Sequence, residues 1–338
     1  MKAARLVHLD AELFPAARRL QIDVVRSESA YAALADDIRA GMANQPKSIP
    51  CKYLYDDRGS KLFDAICDVP EYYLTRTEQA LLEQVADEIV EQVQPADVVE
   101  LGSGTSRKTR VLLTALQRAE LPVRYVPLDV NEWMLRRTAV TLLREYPELR
   151  VHGVVGDYSR DLAHIPQGNN RLVLFLGSTI GNLTPQATAA FLANVRGQID
   201  VGDHLLLGVD LVKPPAILEA AYNDSAGVTA RFSRNILAVV NRELAADFDL
   251  QAFEHIAYFN PWQSQIEIYL EAQAAQVVSI ARLGLTVPFA AGERIHTEIS
   301  RKFTRSAISD DLVAAGYALE RWYTPANGYF GLALARAV

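Results

Sequence analysis

The segment Val98-Val99-Glu100-Leu101-Gly102-Ser103-Gly104-Thr105 runs from an apolar strand into a glycine turn and then a helix. This arrangement offers backbone N–H groups to a nucleotide-like cofactor. A dinucleotide-binding G-x-G-x-x-G loop would carry a third glycine at position 107, where this chain has Arg107. The segment therefore argues against NAD or FAD. Taken alone, it could also be a turn that needs glycine only for its backbone angles.

Acidic residues stand at the ends of three successive predicted strands. Glu100 belongs to the first, Asp129 ends the strand 125–129, and Asp157 follows the strand 151–155. Because ligands of open α/β sheets bind outside the carboxyl ends of the strands, the three acids together favour one cofactor site, although Asp157 alone is as readily a solvated loop residue. The pattern resembles the class I S-adenosylmethionine-dependent methyltransferases, which implies a Rossmann-like parallel sheet and an S-adenosylmethionine site.

Length and charge narrow the classes of function. The chain has 338 residues, half of them hydrophobic, and a formal net charge of −7, so we expect two packed units and a surface that repels nucleic acid and anionic membranes. Charged residues interrupt the first twenty positions, which argues against a signal peptide, and no apolar run reaches membrane-spanning length. The two cysteines, Cys51 and Cys67, form no C-x-x-C pair, which predicts a cytoplasmic protein. The histidines are not spaced like metal ligands either, so we expect no metal.

Strand and helix signals alternate through the middle of the chain. Thr75 and Glu78 form a predicted capping box at the start of a helix, and apolar strands follow near 98–101, 125–129, 151–155, 171–176 and 204–209. Such alternation is typical of an α/β fold with parallel strands and crossover helices. We therefore predict a methyltransferase domain over 75–212 and a second, α+β substrate-binding domain formed by 1–74 and 213–338.

Several long segments carry a more specific resemblance. They are Tyr53-Leu54-Tyr55-Asp56-Asp57-Arg58-Gly59-Ser60, Pro70-Glu71-Tyr72-Tyr73, Phe175-Leu176-Gly177-Ser178-Thr179-Ile180-Gly181-Asn182, Asp210-Leu211-Val212-Lys213, Tyr222 and Thr297-Glu298-Ile299-Ser300. With the glycine turn, they make the chain similar, over nearly its whole length, to the histidine Nα-methyltransferases of ergothioneine biosynthesis. The resemblance implies three methyl transfers from S-adenosylmethionine to the α-amino group of free histidine, giving the betaine hercynine.

The resemblance also implies roles for individual residues. On the cofactor side, Gly102 approaches the cofactor, Asp129 binds its ribose hydroxyls, Asp157 binds its adenine, Lys108 binds its carboxylate, and Tyr158 belongs to the same site. On the substrate side, Tyr72, Asn182 and Tyr222 hold the carboxylate, Asn182 and the Gly177 carbonyl orient the amine, Glu298 and Ser300 receive the imidazole, and Tyr55 closes the pocket. Ile268 occupies a position near the imidazole where family members often have Met, a nearly volume-preserving difference.

The chemistry of these residue types supports the assignment independently. Glu298 and Ser300 lie two positions apart, so in an extended segment both side chains share a face and can bond the two imidazole nitrogens, unless they simply face solvent from a surface strand. Asn182 offers both a donor and an acceptor, although Asn after Gly also caps helices. Tyr72 and Tyr222 can donate to a carboxylate from a dry pocket or can simply pack in a core.

The sequence is consistent with three hypotheses about function. The first is histidine Nα-methylation, for which we expect no catalytic base, because an α-amine with a pKa near ~8 supplies enough uncharged nucleophile. The second is N-methylation of another free amino acid, which the Ile268 difference leaves open. The third is a catalytically silent cofactor-binding protein, since one fold supports several functions. We expect a monomer acting on a small molecule.

Overall fold

A sheet of eight strands forms the centre of the larger lobe in the computed structural model, which describes residues 18–25 and 30–338. The strands of the described residues are β1 (Leu20–Val24), β2 (Lys47–Ser48), β3 (Asp97–Leu101), β4 (Arg124–Asp129), β5 (Arg150–Val155), β6 (Arg171–Phe175), β7 (His204–Asp210), β8 (Phe253–Asn260), β9 (Gln265–Ala272), β10 (Gln276–Ile280), β11 (Leu285–Phe289), β12 (Arg294–Arg301), β13 (Tyr317–Tyr323) and β14 (Phe330–Ala337). The large sheet has the order β1-β5-β4-β3-β6-β7-β14-β13.

The first six strands of that order run parallel, whereas β14 is antiparallel to β7 and β13 is antiparallel to β14. Every residue of β3, β6 and β7 is buried, because helices cover both faces of a parallel sheet. The α/β class with a Rossmann-like, mostly parallel sheet is thus confirmed. The predicted central strands agree with the observed ones to within a residue or two at each end.

Helices connect these strands and build much of the smaller lobe. Those of the described residues are α1 (Ala30–Ala43), α2 (Asp57–Cys67), α3 (Tyr73–Val93), α4 (Thr109–Arg118), α5 (Glu132–Glu145), α6 (Pro185–Arg196), α7 (Pro215–Tyr222), α8 (Val228–Leu244) and α9 (Arg305–Ala314). Among the described residues, none of the helices combines the length and apolarity that a membrane crossing requires.

The predicted capping box at the start of α3 is wrong. The helix already begins at Tyr73, so Thr75 lies within its first turn and donates to the sulfur of Cys67 at 3.2 Å. Glu78 is fully buried instead of bonding to the start of the helix. A capping box and an amphipathic helix interior share the same short pattern, so the sequence could not separate them.

The smaller lobe contains a four-stranded sheet in the order β2-β12-β9-β8 and the separate hairpin of β10 and β11. The predicted strand at β9 is confirmed, and Ile266, Ile268 and Leu270 are all buried against helices α2, α7 and α8 and their neighbours, although Glu267 on the opposite face is buried too. On the side of this lobe that faces the large sheet, Lys302 links the Tyr222 hydroxyl to Asp210 at the carboxyl end of β7.

Three strands require a correction of the predicted division of the chain. β1 comes from 1–74, and β13 and β14 come from 213–338, yet all three are hydrogen-bonded into the large sheet. Helix α9 also packs on this sheet, against β13 and α6. The smaller lobe is therefore an insertion between β7 and α9 that is joined by the segment around α1 and α2. Residues 1–17 and 26–29 of the predicted division lie outside the described residues.

Candidate active site

The glycine turn after β3 is tied to the acid at the end of β4. Gly102 and Gly104 have φ values of +75° and +49°, a region that glycine adopts without the penalty of a side chain. The Gly104 N–H donates to one oxygen of Asp129 at 2.8 Å, and the Asn131 N–H donates to the other at 2.9 Å. Burial raises the pKa of Asp129, and these backbone donors oppose that rise. The carboxylate is thereby fixed at the carboxyl end of the sheet.

Asp157 and Tyr158 follow β5 at the same end. One oxygen of Asp157 accepts from the N–H and the hydroxyl of Ser159, at 2.9 and 2.6 Å. The Tyr158 ring packs edge-on against Phe175 with 5.3 Å between the centroids. A carbon of the same ring lies 3.6 Å from where a Cβ on Gly102 would be. A Cβ there would be in ordinary van der Waals contact with the ring, so the positive φ of Gly102 is what disfavours a side chain at this position.

Lys108 is held by a buried carboxylate that sequence reasoning had assigned to a helix cap. Glu78 pairs with the Lys108 ammonium and also accepts from the Gly177 N–H at 2.9 Å. A Cβ on Gly177 would lie 3.1 Å from that ammonium. Glu78 thus contacts both the loop after β3, through Lys108, and the loop after β6, through Gly177. Its only sequence signal was an acid on the inner face of an amphipathic helix.

Aromatic rings form the wall of the smaller lobe that faces the sheet. Tyr55 contacts Phe63 and Phe232 edge-on, with centroids 5.6 and 5.4 Å apart. Tyr72 lies 6.3 Å from Phe63 and 6.1 Å from Tyr222. Burial raises the pKa of the Tyr55 and Tyr72 phenols, so both stay neutral donors, and the charge of Glu298 contributes in the same direction. The wall is apolar but carries hydroxyl groups.

Glu298 faces this aromatic wall from strand β12. It pairs in register with Ile268 of β9, and a bulge after His296 sets its position. Its side chain forms no hydrogen bond to any described residue, and burial raises its pKa to about 7, an effect that the charge of Lys302 partly opposes. Burial raises the pKa of Tyr158, and the charge of Glu298 makes a smaller contribution in the same direction. A partly buried carboxylate without a partner is available for a ligand.

Ser300 lies two residues further along β12 and belongs to a buried polar network. Its hydroxyl is 2.8 Å from the Tyr222 hydroxyl and accepts from the Lys302 ammonium at 2.8 Å. Lys302 is paired in turn with Asp210 at 2.9 Å. Sequence reasoning missed Lys302 entirely and quoted Asp210 without assigning it a role. Neither residue has a local signal, because a buried lysine looks like any other lysine in a sequence.

Asn182 ends the short 3-10 turn Thr179–Asn182 that follows β6, and this turn packs on β12. Ser178, at the start of the turn, has a φ of +56°, and its hydroxyl oxygen accepts from the Asp210 N–H at 2.9 Å. The Asn182 amide forms no hydrogen bond within residues 18–25 and 30–338. Its proposed role as a helix cap is not observed, since Thr184 caps α6. The amide is therefore free to meet a ligand.

A cleft lies between the two lobes beside Tyr55. A cavity of about 590 Å³ lies between the loop before α2 and the loop after β4. Its lining residues are Tyr55, Asp56, Asp57, Arg58, Val130, Asn131, Glu132, Trp133 and Arg242. Across the described residues there is no group of three or more His, Cys, Asp or Glu side chains that could hold a metal ion.

A glycine turn at the carboxyl end of a mostly parallel sheet, with fixed acids after the next two strands, defines a class I methyltransferase. The model of the S-adenosylmethionine-dependent histidine-specific methyltransferase family matches residues 34–337, and the chain belongs to this family.

Curated relatives agree with the family. The histidine N-alpha-methyltransferases of Mycolicibacterium smegmatis and Mycobacterium tuberculosis are 50% and 48% identical to this chain, each over 91% of it and 96% of the relative. Ergothioneine biosynthesis protein 1 of Schizosaccharomyces pombe is 32% identical over 67% of this chain and 31% of that protein. The match therefore covers both lobes.

Proposed function

We propose that this protein transfers methyl groups from S-adenosylmethionine to the α-amino group of L-histidine. Three successive transfers give Nα,Nα,Nα-trimethyl-L-histidine (hercynine), the first step of ergothioneine biosynthesis. The observation that carries the proposal is the unpaired Glu298 carboxylate, which faces the aromatic wall two residues from the Ser300 hydroxyl. An imidazole presents two nitrogens to such a pair, whereas an apolar ring would leave the carboxylate buried without a partner.

The cofactor side of the cleft fits the adenosyl and amino-acid parts of S-adenosylmethionine. Asp129, which backbone donors hold in place, would bond the ribose hydroxyls. Asp157 and Tyr158 would enclose the adenine, Gly102 allows close approach of the backbone, and Lys108 would bind the cofactor carboxylate. The Lys108 ammonium now pairs with Glu78, so it would serve that carboxylate while staying anchored.

The substrate side would hold histidine at three points. Tyr72 and Tyr222 have hydroxyls suited to the carboxylate, and the free amide of Asn182 can meet both carboxylate and amine. The Gly177 carbonyl would help to orient the amine. Glu298 and Ser300 would bind the ring beside Ile268, and Tyr55 would close the pocket over it.

The chemistry asks the protein mainly to align and desolvate the reactants. The donor supplies a methyl group activated by a sulfonium charge. Orientation alone can lower a barrier by roughly 7–11 kcal/mol, so a pocket that aims the amine needs no strong base. Consistent with this, we assign no proton-abstracting side chain, and Asn182 and Tyr55 act as the residues nearest to the amine.

Mass spectrometry of reaction mixtures with each of the twenty amino acids tests the proposal. We expect histidine to gain one, two and then three methyl groups and other amino acids to gain none. Glu298→Gln should reduce kcat/KM for histidine, whereas Glu254→Gln, which changes an exposed carboxylate of the same lobe, should leave it unchanged. Methylation of a different amino acid instead of histidine would refute histidine as the substrate. Binding of the cofactor without methylation of any amino acid would indicate a catalytically silent cofactor-binding protein.

We further propose that the protein works as a monomer in the cytoplasm and has no nucleic-acid or membrane partner. The acidic net charge supports the absence of nucleic-acid and membrane partners. Light scattering at working concentration tests the monomer.

A further inference from the structure

Lys302 is the centre of a buried network behind the proposed histidine pocket. Its side chain is completely buried. The ammonium donates to the Tyr222 hydroxyl at 2.9 Å and to the Ser300 hydroxyl at 2.8 Å, and it pairs with Asp210 at 2.9 Å. An ammonium has three N–H groups. All three are therefore used within the protein, and Lys302 has no donor left for a ligand.

The two hydroxyls around Lys302 have a fixed hydrogen count. Tyr222 and Ser300 both accept from the ammonium, and their oxygens are 2.8 Å apart, so one of them donates its hydrogen to the other. Each hydroxyl carries a single hydrogen. One hydrogen consequently remains, and it has no further partner among the described residues, so it is available to a ligand. Without Lys302, both hydroxyls could rotate freely.

The same cluster carries more positive than negative charge. Asp210 is the single carboxylate between Lys302 and Lys213, whose ammonium lies 2.6 Å from it. Tyr73 adds a neutral donor to Asp210 at 2.7 Å. A further acid that interacts with Lys302 is Glu298, whose pKa burial raises and the charge of Lys302 partly lowers. Because the lysines are desolvated, a nearby anion would interact with this surplus charge far more strongly than in water.

We propose that Lys302 is a positioning residue that makes this end of the pocket specific for a free carboxylate. It fixes Tyr222 and Ser300 so that they present one hydroxyl hydrogen, and it backs that donor with the unneutralised charge of the cluster. An anionic oxygen matches both features, whereas a carboxamide matches only the hydrogen bond. The inference rests on the proposed function, since it takes the histidine carboxylate as the group at Tyr222.

Kinetics with L-histidine and L-histidinamide test the inference. Lys302→Met removes the charge and all three donors at similar length. We expect it to lower kcat/KM for histidine by roughly ten- to hundred-fold, the range for hydrogen bonds to charged groups. The loss for histidinamide should be much smaller, so the preference for histidine over its amide should fall. Binding of S-adenosylhomocysteine, measured by calorimetry, should stay unchanged and serves as the folding control.

Lys302→Arg gives a second readout if Lys302→Met loses S-adenosylhomocysteine binding. Arg keeps the charge but places its donors in a plane, so activity should fall while the preference for histidine over histidinamide is kept. Equal losses for both substrates in Lys302→Met, or a lost preference in Lys302→Arg, would overturn the inference. Failure of the wild type to methylate histidine would instead refute the proposed function, so the two failures are distinguishable.

A double-mutant cycle separates positioning from a merely structural role. In a Tyr222→Phe/Ser300→Ala background the hydroxyls that Lys302 directs are gone. Adding Lys302→Met there should cost histidine turnover less than it does in the wild type, because residues of one network are not additive. Full additivity would contradict the proposal.

Discussion

Acidic side chains in this molecule differ in whether the fold gives them a cationic partner. Glu78 and Asp210 are fully buried and face lysines, so their charges organise loops. Glu298 is in no ion pair among the described residues; burial raises its pKa, and the charge of Lys302 only partly opposes that rise. Asp129 could be selected from the sequence because it ends a predicted strand, and Glu298 because the family resemblance implies it and its two-residue spacing from Ser300 fits an imidazole. Glu78 and Lys302 could not, because their roles arise from contacts between distant segments.

Replacement of Asn182 tests the residue proposed to orient the amine. Asn182→Ala should lower kcat by about 10²-fold, because misplacement of the nucleophile by about 1 Å has an effect of that size. Asn223→Ala, which changes an exposed amide beside Tyr222, is the control. Single-turnover methylation assays measure both. Near-normal turnover of Asn182→Ala would show that another group orients the amine.

The raised pKa of Glu100 predicts that the difference in stability between the wild type and Glu100→Gln depends on pH. Burial raises its pKa to about 7, although Thr109 and Tyr125 donate to the carboxylate. The folded state therefore binds its proton more tightly than the unfolded chain, and this contribution to stability is lost as pH rises from about 4.5 to about 7. Glu100→Gln cannot ionise, so its free energy of unfolding should increase relative to the wild type across that range.

Urea denaturation at several pH values measures this difference for Glu100→Gln. The exposed Glu132→Gln serves as the control and should follow the wild-type curve. Parallel curves for Glu100→Gln and the wild type would show that Glu100 has an ordinary pKa in the folded protein.

The strands around the cleft could be predicted from local sequence, whereas the exact helix starts and the contacts between loops could not. Buried apolar runs predicted the central strands, since a strand covered on both faces has no polar alternation. The start of α3 was misassigned because Thr75 and Glu78 fit a cap as well as a helix interior. The loop after β6 was identified only through family resemblance, and its contact with Glu78 depends on the packing of α3 beside β7.

Gly177 allows a test of this loop as an element. Its φ of +79° disfavours a side chain, and an added Cβ would lie 3.1 Å from the Lys108 ammonium. Gly284 has a φ of +63° but no atom within 4 Å of such a Cβ. Both alanine variants should lose roughly 1–2 kcal/mol of stability from the backbone strain. Only Gly177→Ala should also weaken S-adenosylmethionine binding, which calorimetry measures. Equal affinities for the two variants would place Lys108 outside the cofactor site.

At the scale of the whole molecule, the lobes are joined by polar contacts as well as by the chain. Asn131 donates to the Ser60 hydroxyl at 3.2 Å, and Ser60 donates to the Tyr55 carbonyl at 3.3 Å. The Asn131 N–H also bonds to Asp129. A path of hydrogen bonds thus runs from the proposed ribose acid to the proposed pocket-closing residue. The placement of β1, β13 and β14 was missed for a related reason, because pairing between distant strands leaves no local pattern.

Asn131→Ser should weaken the coupling between the two binding sites. Serine keeps the capacity to cap α5, a role that Asn131 fills by accepting from Met134, but it lacks the amide that reaches Ser60. If this path couples the sites, S-adenosylhomocysteine should increase the histidine affinity of the wild type and should increase it less in this variant. Titrations with and without that ligand measure the increase. Arg107→Ala removes an exposed pair with Asp68 that also joins the lobes, and it should have little effect. An unchanged increase in Asn131→Ser would refute the path.

The position of β14 inside the large sheet has a consequence for biogenesis. A ribosome makes its neighbour β7 first, then the entire smaller lobe, and only afterwards β14 and the hydrogen bonds that cover the β7 edge. Until then, a nascent chain exposes an apolar strand edge of the kind that invites association with other chains. We therefore expect that shielding of this strand edge during synthesis, for example by a general chaperone, increases the yield of folded protein.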